Sequence, residues 1–143
     1  MGTIDLPALA TQVGGNHYKN MPIQPVEFAL VNELNTCQAN ILKYVCRHTN
    51  KDGQRDLDKA AHYCDLWLDI QPAYDLDWGC AGIEWRPAAN IPYIPLSVFV
   101  MANMLPRQAS SILDLICHTP TPERVREAQA RIRTLHSELS SNH

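Results

Sequence analysis

Apolar residues recur along this chain at steps of three and four rather than two, which predicts α-helices and no strand. Pro25 suits the first turn of a helix running to about Leu34, with Val26, Leu30 and Leu34 on one face. Thr36 is the expected N-cap of a second helix, Cys37 to His48, which buries Ile41, Leu42 and Val45. Asn50-Lys51-Asp52-Gly53 reads as a turn, and a third helix then runs to about Ile70 on an apolar face of Leu57, Ala60, Ala61, Cys64, Trp67 and Leu68. Further on, Leu96 to Leu105 reads as a buried helix broken by Pro106, and Arg107 to His118 as a second short one. Thr121 then caps a last helix, with Pro122 and Glu123 in its first turn. Its apolar residues Val125, Ala128, Ile132, Leu135 and Leu139 form a heptad seam too short for an independent coiled coil. That seam suits packing onto the rest of the domain and packing onto a partner subunit equally well.

The fold expected is all-α: a helical domain with a central antiparallel helix pair, a long aromatic and Pro-rich loop, and a C-terminal helical extension. Residues 1–23, with Gly14-Gly15, Pro7 and Pro22, read as an irregular arm with a turn. The loop lies in Gln71 to Pro95, which carries four prolines, two tryptophans and two tyrosines. Loops of that length serve as lids, binding loops or interfaces. The chain therefore divides into residues 1–71 and a second part, 72–143, packed with the first as one unit.

At 143 residues, 45% hydrophobic and 19% charged, the chain has the length and apolar content of one folded domain. A net charge of -3 disfavours coating of nucleic acid, which needs a basic surface. No apolar run approaches a membrane span, and no export or lipidation pattern opens the chain, so a soluble, cytoplasmic protein is expected. Five cysteines without a CxxC read as reduced residues, and no structural zinc is expected. The apolar run Val98, Phe99, Val100, Met101, Met104 and Leu105 exceeds what one short helix buries within a small domain, so a homo-oligomer is expected. The last helix's seam offers a second surface for it.

Three groups of residues are candidates for chemistry. In Gly14-Gly15-Asn16-His17-Tyr18-Lys19, two glycines let backbone N–H groups turn toward an anion, with His17 and Lys19 adding positive charge. A plain glycine turn with an aromatic anchor explains the same residues, and no Walker A loop or GxGxxG is present. On the second helix, Asn40, Lys43, Tyr44 and Arg47 share one face, an array able to bind phosphate and a base edge, or simply a solvated basic face. Substituting Lys43 or Arg47 is expected to spare the fold, because both lie opposite Ile41 and Val45. On the third helix, Asp56, Lys59 and Tyr63 repeat the spacing, and a meeting of the two faces would enclose a polar cleft. Asp58 with His62, and Asp65 with Asp69, read as solvated pairs rather than metal ligands. No metal and no cofactor is expected.

The order of these motifs resembles a family of small phage nucleotide-kinase-like proteins. The resemblance rests on Gly-Gly-Asn-His-Tyr-Lys, Met21-Pro22-Ile23-Gln24-Pro25, Asn40-Ile41-Leu42-Lys43-Tyr44 with Arg47, and Asp56-Leu57-x-Lys59-Ala60-x-x-Tyr63. It covers roughly residues 12–71 and extends neither to Gln71–His143 nor to the cysteine-rich N-terminal region of the coliphage kinases. It implies nucleotide binding and a phosphoryl transfer to nucleoside monophosphates without a Walker loop. The implied ligand-binding set is Gly15, Asn16, His17, Tyr18, Lys19, Asn40, Lys43, Tyr44, Arg47, Asp56, Lys59 and Tyr63, with no residue marked as catalytic. The rival expectation is a non-catalytic sponge for a nucleotide signal of host defence, with Trp78 and Trp85 stacking on a base. A helical nucleotide pyrophosphohydrolase would need ExxE carboxylates, and the chain has none.

Overall fold

The computed structural model describes residues 6–10, 18, 20–50, 52–78 and 93–141, and its regular structure is helical throughout. A 3-10 turn at Pro7–Ala10 precedes α1 (Pro25–Val31), α2 (Thr36–Cys46), α3 (Gly53–Ala73), α4 (Leu96–Ala102), α5 (Arg107–Cys117) and α6 (Pro122–Ser141). The all-α expectation is met, with no strand among the described residues.

Capping fixes where the site-bearing helices begin. The cap of α2 is Asn35, one residue before the expected Thr36: its Oδ1 accepts from the Gln38 N–H at 2.8 Å, and Gln38 Oε1 accepts from the Asn35 N–H at 2.9 Å. This reciprocal box satisfies two orphan donors, which a lone threonine cap does not. Gln38 is buried, and its Nε2 donates to the Ile116 carbonyl at 2.8 Å, tying α2 to α5. Between α2 and α3, the start of Gly53 lies against the end of the preceding turn. A Cβ there would stand 2.0 Å from the His48 carbonyl oxygen, so only glycine allows the approach. The cap of α6 is Thr121 as expected, its Oγ1 accepting from the Arg124 N–H at 3.1 Å.

Three helices end on a left-handed residue that periodicity does not announce. After α1, α3 and α4 the chain turns through a left-handed residue, Glu33, Asp75 or Met104, with φ of 54°, 54° and 53°. In each, the next residue's N–H reaches back five residues: Leu34 to Ala29, Leu76 to Gln71, Leu105 to Val100. These are Schellman closures built without glycine. They end α1 at Val31 rather than Leu34 and α4 at Ala102 rather than Leu105. Pro72 does not stop α3, which continues to Ala73, because a proline near the last turn forfeits only its own N–H bond.

One core joins both parts of the chain. Ile41, Leu42 and Val45 from α2, Leu57, Ala60, Cys64 and Trp67 from α3, and Ile112, Leu113 and Ile116 from α5 are buried together with Val125, Ala128, Ile132 and Leu135 from α6. The α6 seam therefore faces α3 and α5, and it is not the second oligomer surface that sequence left open. Gln129 reinforces this, its Nε2 donating to the Ala61 carbonyl at 3.0 Å and to Asp65 Oδ1 at 2.7 Å.

Two amphipathic readings change. On α1, Phe28 is buried and stacks on Phe99 of α4 at 4.5 Å between ring centroids, whereas Val26 is 52% and Leu30 75% exposed. In a two-turn helix the largest ring chooses the inner face, and the Val26–Leu30 stripe turns outward. On α4, Leu96 and Phe99 are buried, but Val98 and Met101 are exposed, as is Met104 just past its end, so this helix is half-buried. Two side-chain amides hold this α1–α4 layer. Asn103 Nδ2 donates to the Ile23 carbonyl at 2.7 Å, and Asn32 Nδ2 donates to the Ile94 carbonyl at 3.0 Å.

These backbone features make opposite predictions. Gly53→Ala should lower stability by about 3 kcal/mol or more, because the backbone itself must yield. Met104→Gly, which removes left-handed strain at an exposed position, should raise it by about 0.5–1 kcal/mol. Urea midpoints of the two variants against the parent chain check both signs.

Candidate functional site

The two polar faces meet, as the helix spacing implies. Arg47 is the C-cap of α2 and Asp56 stands in the first turn of α3, so each charge opposes the dipole of its own helix end. Across the turn, Arg47 Nε lies 3.6 Å from Asp56 Oδ2, and the carboxylate is buried. Further along the pair, Tyr44 and Tyr63 stack with centroids 6.2 Å apart and planes inclined by 20°. Lys43 Nζ stands 4.6 Å and Lys59 Nζ 5.2 Å from the centroid of the Tyr44 ring, with the Arg47 guanidinium carbon at 6.0 Å. One aromatic ring thus gathers three cations from two helices, its π-face offsetting part of their mutual repulsion.

Tyr18 completes the group. Its ring lies 5.8 Å from the Arg47 guanidinium carbon, a cation–π contact. Burial pushes the phenol from 10.0 up to about 12, with Arg47 pulling the other way. The hydroxyl is therefore a neutral group at any physiological pH.

Beside this cluster lies a pocket of about 390 Å³ between α1 and the first half of α2. Val26, Ala29, Leu30 and Leu34 form its apolar side, and Ala39 and Asn40 line it from α2. Tyr18 and Lys43 belong to both pocket and cluster, so the two are continuous. Asn40 Nδ2 donates to the Thr36 carbonyl at 2.9 Å, leaving its Oδ1 as an acceptor.

The expected residues divide as follows. Tyr18, Lys43, Tyr44, Arg47, Asp56, Lys59 and Tyr63 come together, and Asn40 joins them through the pocket. The expected cleft is closed rather than open between Arg47 and Asp56, because an ion pair fills it. Gly15, Asn16, His17, Lys19 and Trp85 lie outside the described residues. Trp78 is not part of the group: it packs on Trp67 of the core at 5.2 Å. Asp58 pairs with His136 at 3.2 Å rather than with His62, and Asp65 serves Gln129. Among the described residues, no three His, Cys, Asp or Glu side chains gather as a metal site would require. Sequence reading missed the pocket wall of Val26 and Leu30, although α1 carries apolar residues on two faces, a sign that one of them has another use.

A protein family described as of unknown function, DUF3310, matches residues 13–65. That span contains Tyr18, the pocket, and every residue of the cluster on α2 and α3. No curated protein and no solved structure matches the chain.

The ion pair revises one expectation and generates a prediction. Arg47→Ala should not spare the fold: it would strand the buried Asp56 carboxylate and cost about 2–4 kcal/mol at pH 7. Tyr18 adds a pH dependence. Because its folded pKa lies above the unfolded 10.0, its contribution to stability is complete below pH 10 and is lost as the pH rises through about 12. Alkaline absorbance titration should show a tyrosinate step near pH 12 that Tyr18→Phe removes.

Proposed function

We propose that this chain is a phage-encoded, cytoplasmic nucleotide-binding protein that holds phosphate on the cations of α2 and α3. The observation that carries the reading is the convergence of Lys43, Arg47 and Lys59 on Tyr44, continuous with a pocket. Asp56 balances one of those three charges, which leaves the described cluster with a surplus of positive charge in an acidic protein. Two ammonium groups on an aromatic hub attract phosphate oxygens by charge-assisted hydrogen bonds. The order of the motifs, which resembles the phage nucleotide-kinase-like family, supports the same ligand. As an enzyme, such a protein would move a phosphoryl group by positioning and charge stabilisation, with no residue here assigned as catalytic.

A second reading, a sponge that sequesters a nucleotide signal of host anti-phage defence, is favoured by the state of Asp56. The cluster's carboxylate is buried and committed to Arg47, an arrangement that orients a cation and offers no exposed base. Incubating the protein with nucleotides or defence signals, then denaturing it and chromatographing the supernatant, separates the two. A sponge returns its ligand intact, whereas an enzyme returns product.

Lys43→Ala and Lys59→Ala are the clean probes, since neither ammonium is part of the buried pair. Each should weaken nucleotide binding about ten- to hundredfold with an unchanged urea midpoint. Unaltered affinity in both, by calorimetry, removes phosphate from this face.

We further propose a homo-oligomer assembled through the exposed Val98 and Met101 of α4 and Met104 just past its end, the one of the two expected surfaces that stays outward. Light scattering of the full chain should give a multiple of 16.1 kDa, and Met101→Glu should reduce it toward that value. A parent chain that scatters as a monomer at micromolar concentration refutes the assembly.

A further inference from the structure

We infer that the α1–α2 pocket is the nucleoside subsite and that Asn40 is its specificity-determining residue, selecting bases that carry an exocyclic amino group. The inference rests on the nucleotide reading above and adds which end of the ligand goes where.

The pocket's two sides differ in chemistry. Val26 and Leu30 are large apolar side chains left exposed on a short helix, and together with Ala29 and Leu34 they make a wall suited to a flat, apolar ring face. A hydrocarbon chain would fit that wall as well, but not the rest of the lining. Gln24, Asn35, Thr36 and Asn40 bring polar groups into the same pocket, and an alkyl occupant would cover them without pairing them. A nucleobase meets both demands, with apolar faces and a hydrogen-bonding edge. Its attachment to phosphate meets a third, because Lys43 lies at the pocket's margin and leads directly to Arg47 and Lys59. Along α2, Asn40, Lys43 and Arg47 follow one another over about 10 Å at 1.5 Å per residue, the scale of a base, sugar and phosphate in sequence.

Asn40 decides the edge. The Thr36 carbonyl can only accept, so the Asn40 atom bonded to it at 2.9 Å must be the amide nitrogen. The amide is thereby held in one orientation and presents Oδ1, an acceptor that meets no donor among the described residues. An amino group on the base supplies that donor; adenine N6 and cytosine N4 do, whereas uracil and hypoxanthine place a carbonyl oxygen at the same position. Two acceptors facing each other leave both unpaired, and the mismatched base is disfavoured.

Calorimetry on the full chain with matched triphosphates tests this: cytidine against uridine, adenosine against inosine, and inorganic tripolyphosphate as the phosphate-only probe. The expected result is about five- to tenfold tighter binding of the amino-bearing member of each pair. Asn40→Leu, on an unchanged helical circular dichroism spectrum, should abolish that preference, and Leu30→Asn, at an exposed position and without added charge, should weaken all four nucleotides while leaving tripolyphosphate unaffected. Equal affinity within both pairs, or a preference that survives in Asn40→Leu, overturns the role of Asn40. Tripolyphosphate binding as tightly as the nucleotides, with Leu30→Asn silent, overturns the pocket as the nucleoside subsite yet leaves phosphate binding by Lys43 and Lys59 standing. If no phosphate compound binds at all, the nucleotide reading and this inference fall together.

Discussion

The approach of Gly53 to the His48 carbonyl governs the arrangement of everything that follows. At 2.0 Å from a would-be Cβ, the contact brings the first residue of α3 against the last turn after α2 with no room for a side chain. Two helices joined so tightly must run back along each other, and their register is then set. In that register Arg47 faces Asp56, and Tyr44 faces Lys59 and Tyr63. A looser turn would allow the helices to slide or splay, and residues four apart on one helix would no longer meet their counterparts on the other. The glycine has no chemistry of its own, yet the cluster's geometry is a consequence of it.

The buried Asp56 is the cost that this register imposes. Removing a carboxylate from water is expensive unless it is paired, and here the compensation comes from Arg47 and from the positive end of α3. The same interaction makes Arg47 a poor candidate for free movement and leaves Lys43 and Lys59 as the mobile charges. Tyr18, with its ring against Arg47 and its phenol kept neutral by burial, extends this group toward the pocket. The cluster is thus graded from a fixed ion pair at the turn to adaptable ammonium groups farther along the helices. A surface that must recognise phosphate with defined orientation benefits from both ends of that gradient.

How far the sequence reveals this depends on which physical signal each feature has. Helical periodicity shows the α2 and α3 faces clearly, because Ile41, Leu42 and Val45 on one side and Asn40, Lys43, Tyr44 and Arg47 on the other are unambiguous over eleven residues. It fails on α1 and α4, which have seven residues each, too few turns to tell an inner apolar face from an outer one. There Phe28 and Phe99 decide the matter by stacking, a tertiary contact that no local pattern records. The helix ends fail for another reason. Glu33, Asp75 and Met104 adopt the left-handed conformation without the glycine that normally announces it. Asn35 wins over Thr36 because Gln38 reciprocates, and that reciprocity needs the amide of Gln38 to be useful twice, once to the cap and once to Ile116. Pairing between faces was legible as a possibility; that an ion pair would close the cleft required the turn geometry.

The matched span, residues 13–65, holds the cluster and pocket, but it does not hold the core that keeps them in place. The apolar sides of α2 and α3 are covered by α5 and α6, and two buried amides, Gln38 and Gln129, hydrogen-bond across that boundary. Without the second part, Ile41, Val45, Leu57 and Cys64 would face water on the side opposite the cations. The packing that holds α2 and α3 in place is therefore supplied in good part by residues beyond the matched span. A site confined to one stretch of sequence can still depend on another for its dielectric environment. In this chain the later helices do so by packing and through those two amides, which leaves the outward Met101 of α4, and Met104 just past it, as apolar surface still to be covered.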